Sequence, residues 1–184
     1  MDETLNLADL PIKYTALTPN FRREAGAAGK RDKGLIRLHQ YSAVEMVIFD
    51  TPEHSYQSLE EMVNIAESIA KELEIPYRIS LLPAWDLAQQ SAKTYDIEIF
   101  LPSQDKYYEA SSCSNCEEYQ ARRGNIKFRD KNKKTKYVHI LNGTALATSR
   151  IFPAILENYQ QRDGSVIIPE KLRKYLNLEI IEPR

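Results

Sequence analysis

Pro19-Asn20-Phe21-Arg22-Arg23-Glu24-Ala25-Gly26-Ala27-Ala28-Gly29-Lys30, running on to Leu35-Ile36-Arg37-Leu38-His39-Gln40-Tyr41, decides how the rest of the chain is read. An apolar residue, two arginines and a glutamate precede a loop of glycine, alanine and lysine. A second strand-like run then closes on an aromatic. Two extended runs around a glycine-rich loop predict a β-hairpin. Its cations and its ring suit one anion and one flat polar group.

Working outward, Ile12 to Leu17 alternates loosely and predicts a strand, after a polar lead-in over residues 1–11. Residues 26–34 predict a loop. Leu35 to Phe49 predicts one long strand or two short ones, with Val44, Met46, Ile48 and Phe49 as core candidates. Thr51-Pro52-Glu53-His54-Ser55 is a helix-start signal. Leu59, Met62, Val63, Ala66, Ile69, Ala70 and Leu73 repeat at three-and-four spacing, which predicts a helix of about five turns stopped by Pro76. Further strands are expected at Tyr77–Leu82, Tyr95–Leu101, Tyr107–Ser111 and Tyr137–Leu141. In the second of these, Asp96 and Glu98 point to one face and Ile97 and Ile99 to the other. A short helix is expected over Glu117–Arg123. Residues 127–136, with five lysines and one arginine, read as a flexible loop. Asn142-Gly143 is expected to turn into a helix reaching Tyr159 and kinked at Pro153. Asp163-Gly164 predicts a turn, Ser165–Ile168 a short strand, and Pro169 opens a last helical turn. Hairpin-linked strands with only two long helices predict an α+β fold on a mainly antiparallel sheet.

The 184 residues suffice for one domain with a core. Charged residues make up 28% and nearly cancel, to a net charge of −1, so a whole-molecule basic field for nucleic acid is absent. No apolar run approaches the ~18 residues of a membrane span. The acidic start and the two cysteines lead to a cytoplasmic expectation. Cys113-Ser114-Asn115-Cys116 is a single CxxC, with no histidine at ligand spacing, which is poor support for structural zinc.

Arg22 and Arg150 are the candidate oxyanion binders, although spacing alone leaves them equally readable as surface arginines. Glu109-Ala110-Ser111-Ser112 offers a carboxylate and a hydroxyl three residues apart, oxygen donors of the kind Mg²⁺ takes. On its own that tetrapeptide also reads as a solvated strand end. Tyr41 is either a stacking platform or a core residue. The lysine-rich run either touches a phosphate backbone or is simply solvated.

Three blocks bear on these alternatives. The first is Phe21 to Gly26 with Gly34-Leu35-Ile36-Arg37-Leu38-His39-Gln40-Tyr41 and Val44-Glu45-Met46. The second is Lys93 to Glu98 with Glu109 to Cys116 and Gln120-Ala121-Arg122-Arg123. The third is Leu141-Asn142-Gly143-Thr144-Ala145-Leu146-Ala147 with Arg150 and Glu157-Asn158-Tyr159-Gln160. In residues, order and spacing they resemble the seryl-tRNA synthetases, class II aminoacyl-tRNA synthetases, over nearly the whole chain. The quoted hairpin resembles that class's second motif, and residues 141–150 resemble its third. The resemblance also accounts for the CxxC without a metal.

It implies an ATP site of Arg22, Arg23, Glu24, Leu38, Tyr41, Glu109, Ala110, Ser111, Ser112 and Arg150, with Arg22 and Arg150 as the catalytic pair on the α- and γ-phosphates. Glu24 would accept from the adenine amino group, and Tyr41 stands where the family more often has Phe. Glu109 and Ser112 would hold Mg²⁺, while Glu45 and Thr144 would bind serine. The implied partners are serine and tRNA(Ser), without a membrane. Full-length members form homodimers through a first motif, and grip tRNA with an N-terminal helical arm. Neither is found in this sequence, so residues 1–184 are expected to be a partial catalytic domain that binds ATP with Mg²⁺ but does not charge tRNA. Around Trp85-Asp86-Leu87-Ala88 only Asp86 and Leu87 agree with the family. Two alternatives remain: a non-catalytic nucleotide-binding module derived from such an enzyme, and a carrier-protein ligase, whose zinc-ligand pattern is not found.

Overall fold

The computed structural model describes residues 2–23 and 34–183. The expected loop at 26–34 therefore lies outside the described residues, apart from Gly34.

Strand β1 (Glu3–Leu5) lies within the expected polar lead-in, and β2 (Ile12–Phe21) follows it. β3 (Gln40–Asp50) pairs antiparallel with β2 from Ile12↔Phe49 to Phe21↔Gln40, the predicted hairpin. Leu35 and Ile36 belong to a 3₁₀ turn rather than to this strand. Helix α1 (Ser55–Glu72) carries Leu59, Met62, Val63, Ala66 and Ala70 buried along one stripe. It stops before Pro76, because Glu74 turns left-handed (φ 52°) and the Ile75 amide reaches back to the Ala70 carbonyl at 3.1 Å.

Next come β4 (Tyr77–Leu81), β5 (Lys93–Leu101) and β6 (Lys106–Asn115). A short α2 (Tyr119–Gly124) leads into β7 (Ile126–Arg129) and β8 (Thr135–Tyr137). The lysine-rich run is thus a paired hairpin, not a loop. Within the run its apolar signal is Phe128, which is 1% exposed and anchors the strand, while Lys127 and Arg129 take the outer positions on either side.

β9 (His139–Ala147) runs straight through Asn142-Gly143 where a turn was expected, and α3 (Thr148–Tyr159) starts only afterwards. Gly143 does not make a turn. A Cβ there would lie 2.7 Å from Met62 Sδ and 2.8 Å from Cys113 Sγ, so glycine allows α1 to sit close on the sheet. Pro153 lies inside α3, as expected. β10 (Val166–Ile167), α4 (Glu170–Leu176) and β11 (Ile180–Ile181) complete the chain.

The main sheet has six antiparallel strands in the order β2-β3-β9-β6-β5-β4, and the fold is α+β as expected. Met46, Ile48, Ile97, Cys113 and Leu141 turn one face toward Leu59, Met62 and Ala66 of α1. Further along that face, Ile99, Leu101 and Ala110 meet Ile151 and Ala154 of α3. On the opposite face, one end is covered by the small β1-β7-β8 sheet through Phe128, Val138 and Ile140. The other end of that opposite face is open.

Candidate functional site

The open end holds a polar cavity of about 390 Å³. Four carboxylates line it: Glu45 of β3, Asp96 of β5, Glu109 of β6, and Asp86 from the 82–92 connection. Hydroxyls of Ser112, Ser114 and Thr144 and the amide of Asn142 fill the floor. Among the described residues that line it there is no Lys, Arg or His, so this part of the cavity suits positively charged groups. A larger cavity, about 590 Å³, lies between α1, α3 and α4, but Leu35, Leu38, Ile69, Phe152 and Tyr175 make it apolar. We take the polar cavity as the site, because convergent polar groups define one better than size does.

Two bulges shape its floor. In a regular strand, Glu109 and Ser112 are an odd number of residues apart and face opposite sides. Here Ile97 pairs with Ser111 and Glu98 with Glu109, so Ala110 is an extra residue and the alternation flips. Glu109 thereby joins Ser112 at the cavity. A second shift lies between β3 and β9: Val44 pairs with Leu146 and Glu45 with Thr144, making Ala145 the extra residue. Thr144 faces the cavity and Leu146 the helices. The Thr144 hydroxyl lies 3.0 and 3.1 Å from the two oxygens of Glu45 and donates to them.

Asp96 is only 8% exposed and opposes Ser112 across the β5–β6 ladder. Burial pushes its carboxyl up to about 6; the Ser112 hydrogen bond pulls it down, and the charges of Glu109, Glu98 and Asp86 raise it again. Its Oδ1 atom has no hydrogen-bond partner among the described residues. A buried acceptor beside Glu109 and Ser112, among carboxylate and hydroxyl oxygens, fits a hard divalent cation. That is the donor chemistry required of an Mg²⁺ site.

The remaining candidates lie outside the described lining of this cavity. Arg22, just beyond β2, donates through Nη2 to the Tyr41 hydroxyl at 3.2 Å, and its guanidinium lies 5.0 Å from the Tyr41 ring centre. Its amide donates to the His39 carbonyl at 2.8 Å, holding the hairpin closed at this level. Arg23 is exposed, and Glu24 lies outside the described residues. Leu38 lines the apolar cavity. Ala110 and Ser111 turn toward the helix layer, Ala110 into the core and Ser111 donating to the Thr144 carbonyl. Arg150 does not follow a glycine turn. It sits in the first turn of α3, its guanidinium 5.4 Å from the ring centre of Tyr108, next to Glu109 on β6. Glu109 and Ser112 lie within β6 rather than at a strand end.

Both CxxC thiols are buried and free. Burial pushes the Cys113 thiol up to about 11, which keeps it protonated and inert at neutral pH. Cys116 accepts from the Asn142 amide at 3.3 Å. Sequence reasoning passed over Asp86, Asn142 and Ser114 as lining residues. Asp96 was legible as a carboxylate on the polar side of an alternating strand, but its burial was not.

Residues 1–159 match the family model for the tRNA synthetase class II core domain (G, H, P, S and T). The chain belongs to the class II tRNA synthetase core family. This class II core is 56% identical to the serine–tRNA ligase of Caldicellulosiruptor bescii over 181 residues, 98% of the chain but 43% of that protein. It is likewise 56% identical over 180 residues to that of Finegoldia magna, again 98% of the chain and 43% of the relative. Among solved structures, it superposes on seryl-tRNA synthetase from Pyrococcus horikoshii complexed with ATP with a TM-score of 0.95 and 48% identity, covering all of this chain and 41% of that one. Cytoplasmic serine–tRNA ligase from Naegleria fowleri in complex with AMP gives 0.90 and 35%, covering 98% and 43%. The chain therefore spans less than half the length of these relatives. Among the described residues, no helix is long and apolar enough to cross a membrane.

Proposed function

We propose that this class II core is the ATP- and serine-binding part of a cytoplasmic serine–tRNA ligase, which as a full-length enzyme activates serine with ATP and passes it to tRNA(Ser). The observation that carries this reading is the pairing of a four-carboxylate cavity with an arginine-on-tyrosine pair at the end of one hairpin. Support also comes from the relatives, two of whose structures hold ATP and AMP. The division into a catalytic core at 1–184, separate from a first motif and a tRNA arm, is part of the same proposal, as is a homodimer.

Serine is a zwitterion, and its ammonium would bind Glu45, with Thr144 fixing the carboxylate's orientation. A site that hydrogen-bonds the serine hydroxyl rejects alanine strongly, because its own polar groups would be left unpaired. The serine carboxylate would attack the α-phosphate of ATP, forming the acyl-phosphate bond and releasing pyrophosphate. Nucleophile and target are both anionic, so charge neutralisation and alignment dominate the barrier. Arg22 would sit against the α-phosphate and the carboxylate, and Arg150 at the γ-phosphate. Tyr41 and Glu24 would hold the adenine. Glu109 and Ser112 would hold Mg²⁺, which when bound supplies positive charge at the phosphates. No protein nucleophile is needed.

Calorimetry with ATP and Mg²⁺ tests the nucleotide half: saturable binding that Arg22→Ala weakens at least tenfold is expected. A folded chain that does not bind ATP overturns the proposal. Serine-dependent exchange of pyrophosphate into ATP, absent with alanine, tests the amino-acid half. The alternative of a non-catalytic nucleotide module predicts ATP binding unaffected by serine. The retained Glu45–Thr144 pair argues against it.

A further inference from the structure

Residues 122–136 hold eight lysines and arginines against one acid, Asp130, in a chain of net charge −1. These cations lie on α2 and the β7–β8 hairpin, which packs on the far end of the open face rather than at the polar cavity. The hairpin is built to present charge. Asp130 Oδ1 accepts the amides of Asn132 and Lys134, both at 2.9 Å, and the Asp130 amide donates to the Lys134 carbonyl at 2.9 Å. The one carboxylate at the tip is thus turned inward to fix the turn. Phe128 pins the other side of the strand in the core. On the outer side, Lys127 faces Tyr137 and Arg129 faces Thr135 across the ladder. Arg122 is paired with Glu118, and Lys136 with Glu53 and Asp130. Lys127, Arg129, Lys131, Lys133 and Lys134 make no ion pair with a described residue.

We propose that this hairpin docks the phosphate backbone of folded, helical RNA. Strand pleating sets Lys127 and Arg129 about 6.6 Å apart, and the tip continues the row. A line of point charges reads backbone, not sequence. Single-strand stacking is disfavoured: the Tyr137 ring is covered by Arg122 at 4.9 Å and Lys127 at 5.1 Å, and the Tyr119 ring by Arg123 at 5.8 Å. A membrane surface is also the poorer fit, because residues 130–134 contain no apolar side chain to insert. This docking surface rests on the proposed reading as part of a tRNA ligase and adds to it the place on the fold where the RNA backbone is held; a tip variant that loses RNA and keeps ATP separates the two.

The test is fluorescence anisotropy of a labelled 20-base-pair RNA duplex with the full chain, from 50 to 200 mM KCl. Lys131→Gln, Lys133→Asn and Lys134→Gln are combined; asparagine suits the left-handed backbone at 133 (φ 60°). Affinity should fall at least tenfold at 100 mM KCl, and the slope of log K against log salt should become shallower by about 2.7, about 0.9 for each of the three charges removed. Thermal unfolding and ATP binding should not change, and Lys171→Gln with Lys174→Gln should leave RNA affinity intact. Unchanged RNA affinity and slope in the tip variant overturn the proposal. So does binding of a polyglutamate peptide or of phosphatidylserine vesicles as tight as that of RNA.

Discussion

The two faces of the six-stranded sheet are made by the same strands and follow opposite rules. Against α1 and α3, side chains are excluded from water and must fit: Leu59, Ile99 and Leu141 have no exposed surface. At the open end, carboxylates are crowded together that would be more stable apart. One face supplies the free energy that the other uses to hold like charges in a fixed array. Changes on the helix face should therefore act on stability, and changes on the open face on ligands, with stability unchanged or improved.

The largest effect should come from Leu59→Ala on the helix face. It removes a fully buried side chain and should cost about 2–5 kcal/mol in urea unfolding. ATP affinity measured on the surviving folded fraction should be unaltered. On the open face, Glu109→Ala should leave the unfolding midpoint within about 0.5 kcal/mol of the parent. It should weaken Mg²⁺-dependent ATP binding by about 100-fold in calorimetry, with little effect on nucleotide binding in EDTA. Equal losses with and without Mg²⁺ would contradict the role given to Glu109.

The next prediction is a gain. Asp96 is held at about 6 against an ordinary value near 3.8, so the folded protein binds its proton more tightly than the unfolded chain. Its contribution favours folding at low pH and is lost as pH rises from about 4 through 6. Asp96→Asn should stabilise the protein above pH 6 by about 1–2 kcal/mol in the absence of divalent cation. His139, on the helix face, has the opposite sign. Its ring is buried, with Nδ1 2.8 Å from the Ser55 hydroxyl, and burial lowers its pKa below the ordinary 6.5. The unfolded chain binds that proton more tightly, so stability is lost as pH falls through 6.5. The smallest effect should be seen with His139→Gln, as a reduced loss of unfolding midpoint between pH 7 and 5. Comparing the two variants across pH 4–8 separates contributions that partly cancel in the parent.

How much of this could be read from the chain depended on which face a residue serves. The α1 stripe was plain, because seven apolar residues at helical spacing rarely arise except on a helix that packs on a core. The β2–β3 hairpin was plain for similar reasons. The β7–β8 hairpin was missed: β7 alternates Ile126 and Phe128 inward against Lys127 and Arg129, but over only four residues, and the lysines of the following turn mask that short signal. The expected turn at Asn142-Gly143 was misplaced because glycine serves two purposes. Here it makes room for Met62, a contact 81 positions away in sequence that no local pattern records. Of the residues that the resemblance implies for the site, Glu45, Glu109, Ser112 and Thr144 line one cavity. Arg22 and Tyr41 were legible, and they touch each other. The burial of Asp96 was not legible, since it depends on how the 82–92 connection closes over β5.

The extra residue at Ala110 also bears on which length changes this chain can accept. Along β6 the parity of the pleat is reset once. The segment before Ala110 is therefore in register with the cavity only because one residue is looped out. Deleting that alanine would remove only a methyl side chain and one peptide unit, yet it would rotate everything upstream in the strand by half a turn. Glu109 would be driven into the packing of α3, and Tyr108 would swing away from Arg150 to the opposite surface. A small gap in the gene at this codon should therefore be tolerated worse than most substitutions of the residues on either side.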